Sequence, residues 1–174
     1  NWDEVNIPAI EVKVLAGIGS YQVPLGGIVS EIFTTVGNVG ANEPDLHTGL
    51  IAHNMFSNNN GEKIIADYGG QFAATINNKR LRAYYSGLLI FDTGNLAITA
   101  ATDWNLKLWG IKTSSSTARW ISSLFTSSAT LSSYCQYTNL TSLAFPGSAI
   151  LKITGTGAAN DDISAHMSYI KWEP

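Results

Sequence analysis

The sequence is poor in charged residues. It holds 10 basic and 13 acidic residues among 174, or 13%, whereas about 25% is usual for a soluble domain. Ser, Thr and Asn, with 17, 15 and 14 copies, take much of their place. This composition excludes a charged helical bundle, a basic nucleic-acid binder and a disordered acidic tail. The net charge of -3 gives no attraction to phosphate or anionic lipid, so we expect no nucleic-acid partner.

Cysteine and long apolar segments are also scarce. Cys135 is the single cysteine and has no second thiol for an intrachain disulfide. Its setting among polar and aromatic residues predicts a small, half-buried side chain rather than a reactive thiol. No apolar run approaches the 18 residues of a membrane-spanning helix, so we expect no membrane insertion.

The sequence contains many short extended segments separated by turns. Residues 1–27 differ from the rest and predict an extended arm or one first strand, so residues 28–174 form the predicted domain. Turn residues recur at 57–61, 77–78 and 92–95, and Gly69-Gly70 predicts a bulge within an extended segment that runs to residue 76. In all, nine or ten strands at 8–15-residue spacing predict an all-β fold with little helix, an antiparallel β-sandwich or jelly roll.

One segment fits two secondary structures. Trp120, Ile121, Leu124 and Phe125 have the spacing of a helix face as well as of a strand. The Ser and Thr residues beside them disfavour the interior of a helix. A strand is therefore the favoured interpretation, with a helix as the alternative.

The residue types that carry metal or catalytic chemistry do not form a recognisable set. His47 and His53 share one strand face but lie about 20 Å apart, too far to bind one ion. Asn160-Asp161-Asp162 offers only part of a calcium ligand set, and a hairpin turn between two strands is the favoured interpretation of these residues. Gly155–Asn160 begins like a dinucleotide loop but leads into a strand, so no phosphate site is expected. We predict no metal ligand, no cofactor and no catalytic residue, although a serine triad or a carboxylate pair assembled in space stays open.

Aromatic residues are the remaining candidates for binding a ligand. Flat apolar rings beside amide and hydroxyl groups suit sugars. Most of the five tryptophans are expected in the core; they are Trp2, Trp104, Trp109, Trp120 and Trp172. Trp109 is the candidate ligand-binding residue, because it alternates with Trp104, Leu106 and Leu108 and so lies on the opposite face of the same strand.

A shortage of charge leaves Ser/Thr/Asn faces and apolar patches on the surface. Such faces favour contact between copies of the chain, and a homotrimer would suit a β-sandwich packed around an axis. We therefore predict self-association, with the missing charge located at the subunit interfaces.

Seven short motifs occur in a characteristic order along the chain: Thr34–Gly40, Glu43–Leu46, Asn77–Lys79, Gly87–Gly94, Asp103–Leu106, Leu151–Gly157 and Asn160–Ile163. In this order they resemble a recurrent jelly-roll domain of tailed-bacteriophage virion surface proteins. The resemblance covers about residues 28–174 and excludes residues 1–27.

The resemblance implies a non-enzymatic structural module on the virion surface, assembled in the host cytoplasm and usually trimeric. A tail-fibre or spike tip that binds host-surface glycans is the leading interpretation. Capsid decoration, in which the same fold stabilises the phage head, is the alternative. A capsule-degrading hydrolase and a cellular lectin are weaker alternatives. Residues 1–27 would then dock to other virion proteins.

Overall fold

The computed structural model describes residues 26–52, 55, 60–128, 134–143 and 147–174. Twelve strands form there, and none of these residues is helical. The strands are β1 (Gly27–Ile32), β2 (Val36–Gly37), β3 (Asp45–Ile51), β4 (Lys63–Phe72), β5 (Asn78–Tyr85), β6 (Leu88–Asp92), β7 (Leu96–Ala97), β8 (Thr102–Lys112), β9 (Ala118–Thr126), β10 (Tyr134–Leu140), β11 (Ala149–Thr156) and β12 (Ile163–Glu173). Since β2 and β7 are only two residues long, the ten longer strands agree with the predicted number.

The strands form two antiparallel sheets with the order of a jelly roll. The larger sheet runs β1-β12-β4-β8-β9-β10, with β2 beside β12, and the smaller runs β3-β11-β5-β6, with β7 beside β5. Without β9 and β10, two four-stranded sheets remain, β1-β12-β4-β8 and β3-β11-β5-β6. This is the eight-stranded double-sheet arrangement, and the predicted all-β sandwich is confirmed. The pair β9–β10 extends the larger sheet beyond this eight-stranded frame.

Alternation of side chains along the strands builds the core. Trp104, Leu106 and Leu108 of β8 are almost fully buried, as their spacing predicts. Residues 120–125 lie in β9, so the helix alternative is wrong: Trp120 and Leu124 point into the core with a period of two. The Trp120 ring packs against the Tyr85 ring, with centroids 5.1 Å apart.

The predicted bulge lies at Gly69-Gly70, but its extra residue belongs to the partner strand. β4 continues without a break to Phe72, and β12 has one additional residue between Ala165 and Met167, opposite the two glycines. A Cβ at Gly70 would lie 1.9 Å from the Ser164 carbonyl oxygen and 2.4 Å from the Trp104 ring. Glycine is therefore required for close packing there. The extended segment also ends at Phe72 and not at residue 76.

Side chains join the two sheets along one open edge of the sandwich. Ser122 of β9 and Thr138 of β10 both donate to the Ile90 carbonyl of β6, at 3.3 and 3.1 Å. The Asp92 backbone N–H donates to Gln136 Oε1 at 2.8 Å. These bonds satisfy polar groups of the β6 edge that would otherwise be free to pair with another chain.

The predicted N-terminal arm, residues 1–27, lies outside the described residues except for its end. Gly27 is the first residue of β1, which pairs with β12. Within the described part of the chain, no helix has the length and hydropathy that a membrane span needs.

Candidate functional site

The outer face of the smaller sheet carries an open groove made of two adjoining depressions. Their volumes are about 330 and 280 Å³, close to the lower end of the range for small-molecule sites, roughly 300–1,000 Å³. Gly87 and Lys152 line both depressions, so the two form one surface. We call this surface the Tyr84 groove. Its other lining residues are Glu43, Asp45, Thr48, Tyr84, Ser86, Ser148, Ile150 and Thr154.

Strand register brings the central residues of the groove together. Tyr84 of β5 lies opposite Lys152 of β11, and Arg82 lies opposite Thr154. Residues two apart on a strand point to the same side, so all four side chains project from the outer face. Leu81, Ala83 and Tyr85 alternate with them and are buried.

Glu43 is the most firmly held carboxylate of the groove. It accepts a hydrogen bond from Thr154 Oγ1 at 2.6 Å, one from the Tyr84 hydroxyl at 3.0 Å and one from Arg82. Burial alone raises the pKa of Glu43, but the hydrogen bonds from Arg82, Thr154 and Tyr84 outweigh it and lower the pKa. The carboxylate is therefore ionised at neutral pH and fixed in one orientation.

Lys152 stands between an acidic side chain and an aromatic ring. Its Nζ lies 2.6 Å from Asp45 Oδ1 and 5.8 Å from the centre of the Tyr84 ring. The second distance is within the range of a cation–π contact. Both partners fix the ammonium group over the floor of the groove.

A tight turn forms one rim of the Tyr84 groove. Ser86 and Gly87 connect β5 to β6 and have φ of 51° and 79°. Two successive positive φ values are the mark of the type I′ hairpin turn. The Ser86 backbone N–H donates to the Ile150 carbonyl at 2.8 Å, which attaches the turn to β11.

The groove is close to electrically neutral and rich in hydrogen-bonding groups. The acidic Glu43 and Asp45 are matched by the basic Arg82 and Lys152. Neutrality gives no preference for phosphate or for a polycation. Fixed donors and acceptors around an aromatic ring instead suit an uncharged ligand with many hydroxyl groups.

Sequence reasoning missed this groove. Glu43 and Thr154 are 111 residues apart in the chain, so no local spacing brings them together. The one available signal is the alternation of polar Arg80, Arg82 and Tyr84 with apolar residues in β5, which marks a solvent-facing surface.

Trp109 lies where its alternation predicts, on the outer face of the larger sheet. Its side chain is 44% exposed, while Trp104, Trp120 and Trp172 are buried. Strand register places Trp109 beside Ile121, and Ile121 beside Tyr137. These three side chains, on β8, β9 and β10, form a continuous apolar row. The role of Trp109 in ligand binding stays a prediction, and Trp2 lies outside the described residues.

His47 and Cys135, two of the residues considered for metal or thiol chemistry, differ in their exposure. His47 is buried, and its Nε2 lies 2.8 Å from the Thr34 carbonyl oxygen, while His53 lies outside the described residues. Among the described residues, no three His, Cys, Asp or Glu side chains are grouped closely enough to hold a metal ion. Cys135 is exposed and not half-buried as predicted, because β10 is an edge strand and Cys135 projects from its outer face.

Three of the motifs that carry the resemblance meet in a buried polar cluster. Asp162 accepts hydrogen bonds from Thr75 Oγ1 at 2.6 Å, from Asn77 Nδ2, and from the backbone N–H groups of Ala158 and Ala159. The Asn38 side chain joins the same turn by donating to the Ala159 carbonyl at 2.9 Å. The polar groups are satisfied within the protein, which indicates a structural role.

The predicted hairpin at Asp161-Asp162 is therefore wrong. The turn connects β11 of the smaller sheet to β12 of the larger sheet, so it links the two layers. Burial alone raises the pKa of Asp162, but the hydrogen bonds from Thr75, Asn77 and the backbone outweigh it and lower the pKa.

No protein-family model matches the chain, and a comparison with curated proteins finds no match. Among solved structures, the chain is similar to the CBM2 module of Lactobacillus casei BL23 phage J-1 evolved Dit. The alignment covers 85% of this chain and 96% of that chain, with 8% sequence identity and a TM-score of 0.35. These values are too low to indicate a shared function.

Proposed function

We propose that the chain is a glycan-binding structural module of a phage virion surface protein, a tail-fibre or spike tip that contacts host-surface glycans. One observation carries the binding part of the proposal. The Tyr84 groove combines an aromatic ring, a fixed carboxylate and a fixed ammonium group on one open surface. The virion setting comes from the resemblance of the motifs, with which the jelly-roll order is consistent.

The expected ligand is an uncharged saccharide. Its apolar C–H face would lie on the Tyr84 ring, because sugars present such faces beside their hydroxyl groups. Glu43 and Asp45 would accept hydrogen bonds from ligand hydroxyls, and Lys152 would donate one. We propose binding without bond cleavage, so the saccharide is recovered intact.

A glycan array of bacterial surface saccharides, followed by titration calorimetry with the strongest binder, tests the site. Tyr84→Ala should reduce affinity at least about tenfold, since it removes both the ring and the hydroxyl that orients Glu43. Trp109→Ala, on the opposite sheet, is the matched control and should leave affinity unchanged. Loss of affinity in Trp109→Ala alone would place the ligand on the larger sheet, as the sequence predicts. No binding to any saccharide by the wild-type protein would contradict the proposal.

The absence of catalysis is tested with the same saccharide. Prolonged incubation with the protein should release no new reducing ends. Release that persists after repurification, and is lost in Glu43→Gln, would make the protein a hydrolase instead.

Capsid decoration is the second candidate, favoured by the exposed apolar row at Trp109. A decoration protein needs a surface that docks on other proteins, and an exposed apolar patch meets that need. Addition of the purified protein to undecorated phage heads distinguishes the two functions. Stoichiometric binding to heads supports decoration, whereas binding to host cells and not to heads supports attachment.

A further inference from the structure

The outer face of the larger sheet, from β12 through β4, β8 and β9 to β10, carries a group of exposed apolar side chains. Side chains between 37% and 57% exposed lie on it in two rows; they are Trp109, Ile121, Phe125 and Tyr137, with Met167 on β12. Contiguous apolar patches of this kind mark interaction sites on soluble proteins. We call this surface the Trp109 face.

Strand register divides the Trp109 face into rows that cross the strands. Trp109, Ile121 and Tyr137 form one row. Asn105 and Phe125 form a second row, four residues away from the first along β8 and β9. Between them lies a central row made of Asp67, Lys107, Ser123 and Cys135.

The two ends of the face carry opposite charges. Arg119 of β9 is exposed. It pairs with Ile111, which lies two residues beyond Trp109 in β8. Asp103 is exposed at the other end of β8. Since residues rise about 3.3 Å along a strand, the two charged ends are about 26 Å apart. The central row also holds both signs, because Lys107 and Asp67 are paired at 3.6 Å.

We propose that the Trp109 face is the contact between two copies of this chain, related by a two-fold axis along the central row. Rotation about that axis places the row of Trp109 on the row of Phe125 of the second copy. It also brings Arg119 of β9 near the partner's Asp103, on the adjacent strand. Residues of the central row face their own copies, and each Lys107 stays paired with Asp67 of its own chain. The face is therefore complementary to itself, as a two-fold contact requires.

The size of the face fits a stable pair. Five strands spaced about 4.8 Å apart, over nine residues of β8, give a footprint of roughly 700 Å². A standard protein interface buries about 800 Å² on each partner. The contact is independent of the Tyr84 groove, which lies on the other sheet, so failure of one proposal leaves the other standing.

Sedimentation velocity of the full chain over a range of concentrations tests the assembly. We expect a reversible pair of 18.7-kDa chains. Trp109→Ser should weaken it at least about tenfold, while Leu50→Ser, which removes a 61% exposed side chain from the smaller sheet, should not. A single chain at all concentrations, an assembly of three chains, or equal effects of the two variants would overturn the proposal.

A charge exchange tests the geometry. Arg119→Asp and Asp103→Arg should each weaken the pair at least about tenfold, because two like-charge contacts arise by symmetry. The double variant should restore the affinity to within about threefold of wild type. Both side chains are exposed, and a wild-type circular dichroism spectrum establishes that each variant is folded. A double variant as weak as the single variants would overturn the proposed axis.

The single cysteine supplies a direct measure of proximity. Cys135 lies in the central row, so the axis places it opposite the same residue of the second copy. Packed sheets are about 10 Å apart, so a short bis-maleimide should join the two thiols, whereas a disulfide should not form readily. A variant with the thiol moved to the smaller sheet, Cys135→Ser with Leu50→Cys, should not be cross-linked. Equal cross-linking of both proteins would overturn the proposal.

Discussion

Lys79 and Asp162 are joined by the hydroxyl of Thr75, which accepts a hydrogen bond from Lys79 Nζ at 2.9 Å and donates one to Asp162 Oδ1 at 2.6 Å. Both charged residues are fully buried. Three backbone carbonyl oxygens also lie within hydrogen-bond distance of Lys79 Nζ, including that of Ile98 at 2.9 Å. A buried charge is tolerated only when it is paired and hydrogen-bonded, and Thr75 is the residue that connects the two buried charges.

We expect Thr75→Val to destabilise the protein. The change removes a donor from Asp162 and an acceptor from Lys79 while keeping the side-chain shape, at a cost of about 1–3 kcal/mol in the free energy of unfolding. Urea denaturation measures the loss. Asp161→Asn, at the exposed neighbouring position, is the control and should change stability by less than about 0.5 kcal/mol. Equal stability of the two variants would show that the bridge contributes nothing.

Acid should remove the stabilisation that Asp162 provides. Its pKa is lowered from the usual 3.8, so its contribution is present above pH 3.8 and is lost as the pH falls through the lower folded-state pKa. The Asp162→Asn variant has no ionisable group at this position, so its unfolding free energy should depend less steeply on pH than that of wild type below pH 4. Denaturation series between pH 7 and pH 2.5 provide the comparison. Parallel curves for the two proteins would contradict the lowered pKa.

Gly70→Ala should be strongly destabilising. Its Cβ would lie 1.9 Å from the Ser164 carbonyl oxygen, and backbone cannot move aside as a flexible side chain can. We expect a loss of at least about 2 kcal/mol, measured by thermal unfolding. Gly27→Ala is the matched control, since its Cβ would meet nothing within 4 Å. A Gly70→Ala protein as stable as Gly27→Ala would mean that β12 can shift at its bulge to accept the methyl group.

Ser86→Asn should stabilise the protein slightly. Ser86 has a φ of 51°, and Asn-Gly is the preferred pair for a type I′ turn. The expected gain is about 0.5 kcal/mol, whereas Ser86→Val should destabilise, because a β-branched residue is strained at positive φ. Melting temperatures that decrease from Ser86→Asn through wild type to Ser86→Val would agree with this turn, and the reverse order would contradict it.

Local patterns were sufficient to predict the strands but not the partners of their polar side chains. The alternation of Trp104, Leu106 and Leu108 correctly predicts a half-buried β8 and an exposed Trp109, because a strand has only two faces. The prediction of a half-buried Cys135 is wrong, since the exposure of this residue depends on the position of β10 at the edge of the sheet. That position follows from long-range pairing and not from neighbouring residues.

Local sequence patterns do not predict the Tyr84 groove or the Asp162 cluster, because only the tertiary structure brings their residues together. Glu43 reaches Arg82 across 39 residues and Thr154 across 111, and Thr75 reaches Asp162 across 87. Each carboxylate has an acidic neighbour in the sequence that is an equally plausible candidate, Asp45 for Glu43 and Asp161 for Asp162. Only the order of strands in the two sheets determines which carboxylate contacts Thr154 and which contacts Thr75.

The placement of the two surfaces on opposite sheets has a mechanical consequence. In a pair joined through the Trp109 face, the two Tyr84 grooves point away from each other, one on each outer side of a four-layered particle. Such a pair cannot grip one flat surface with both grooves, so it gains no avidity there. It would instead bridge two separate glycan-bearing surfaces, and dimerisation would then produce agglutination where a single copy produces only attachment.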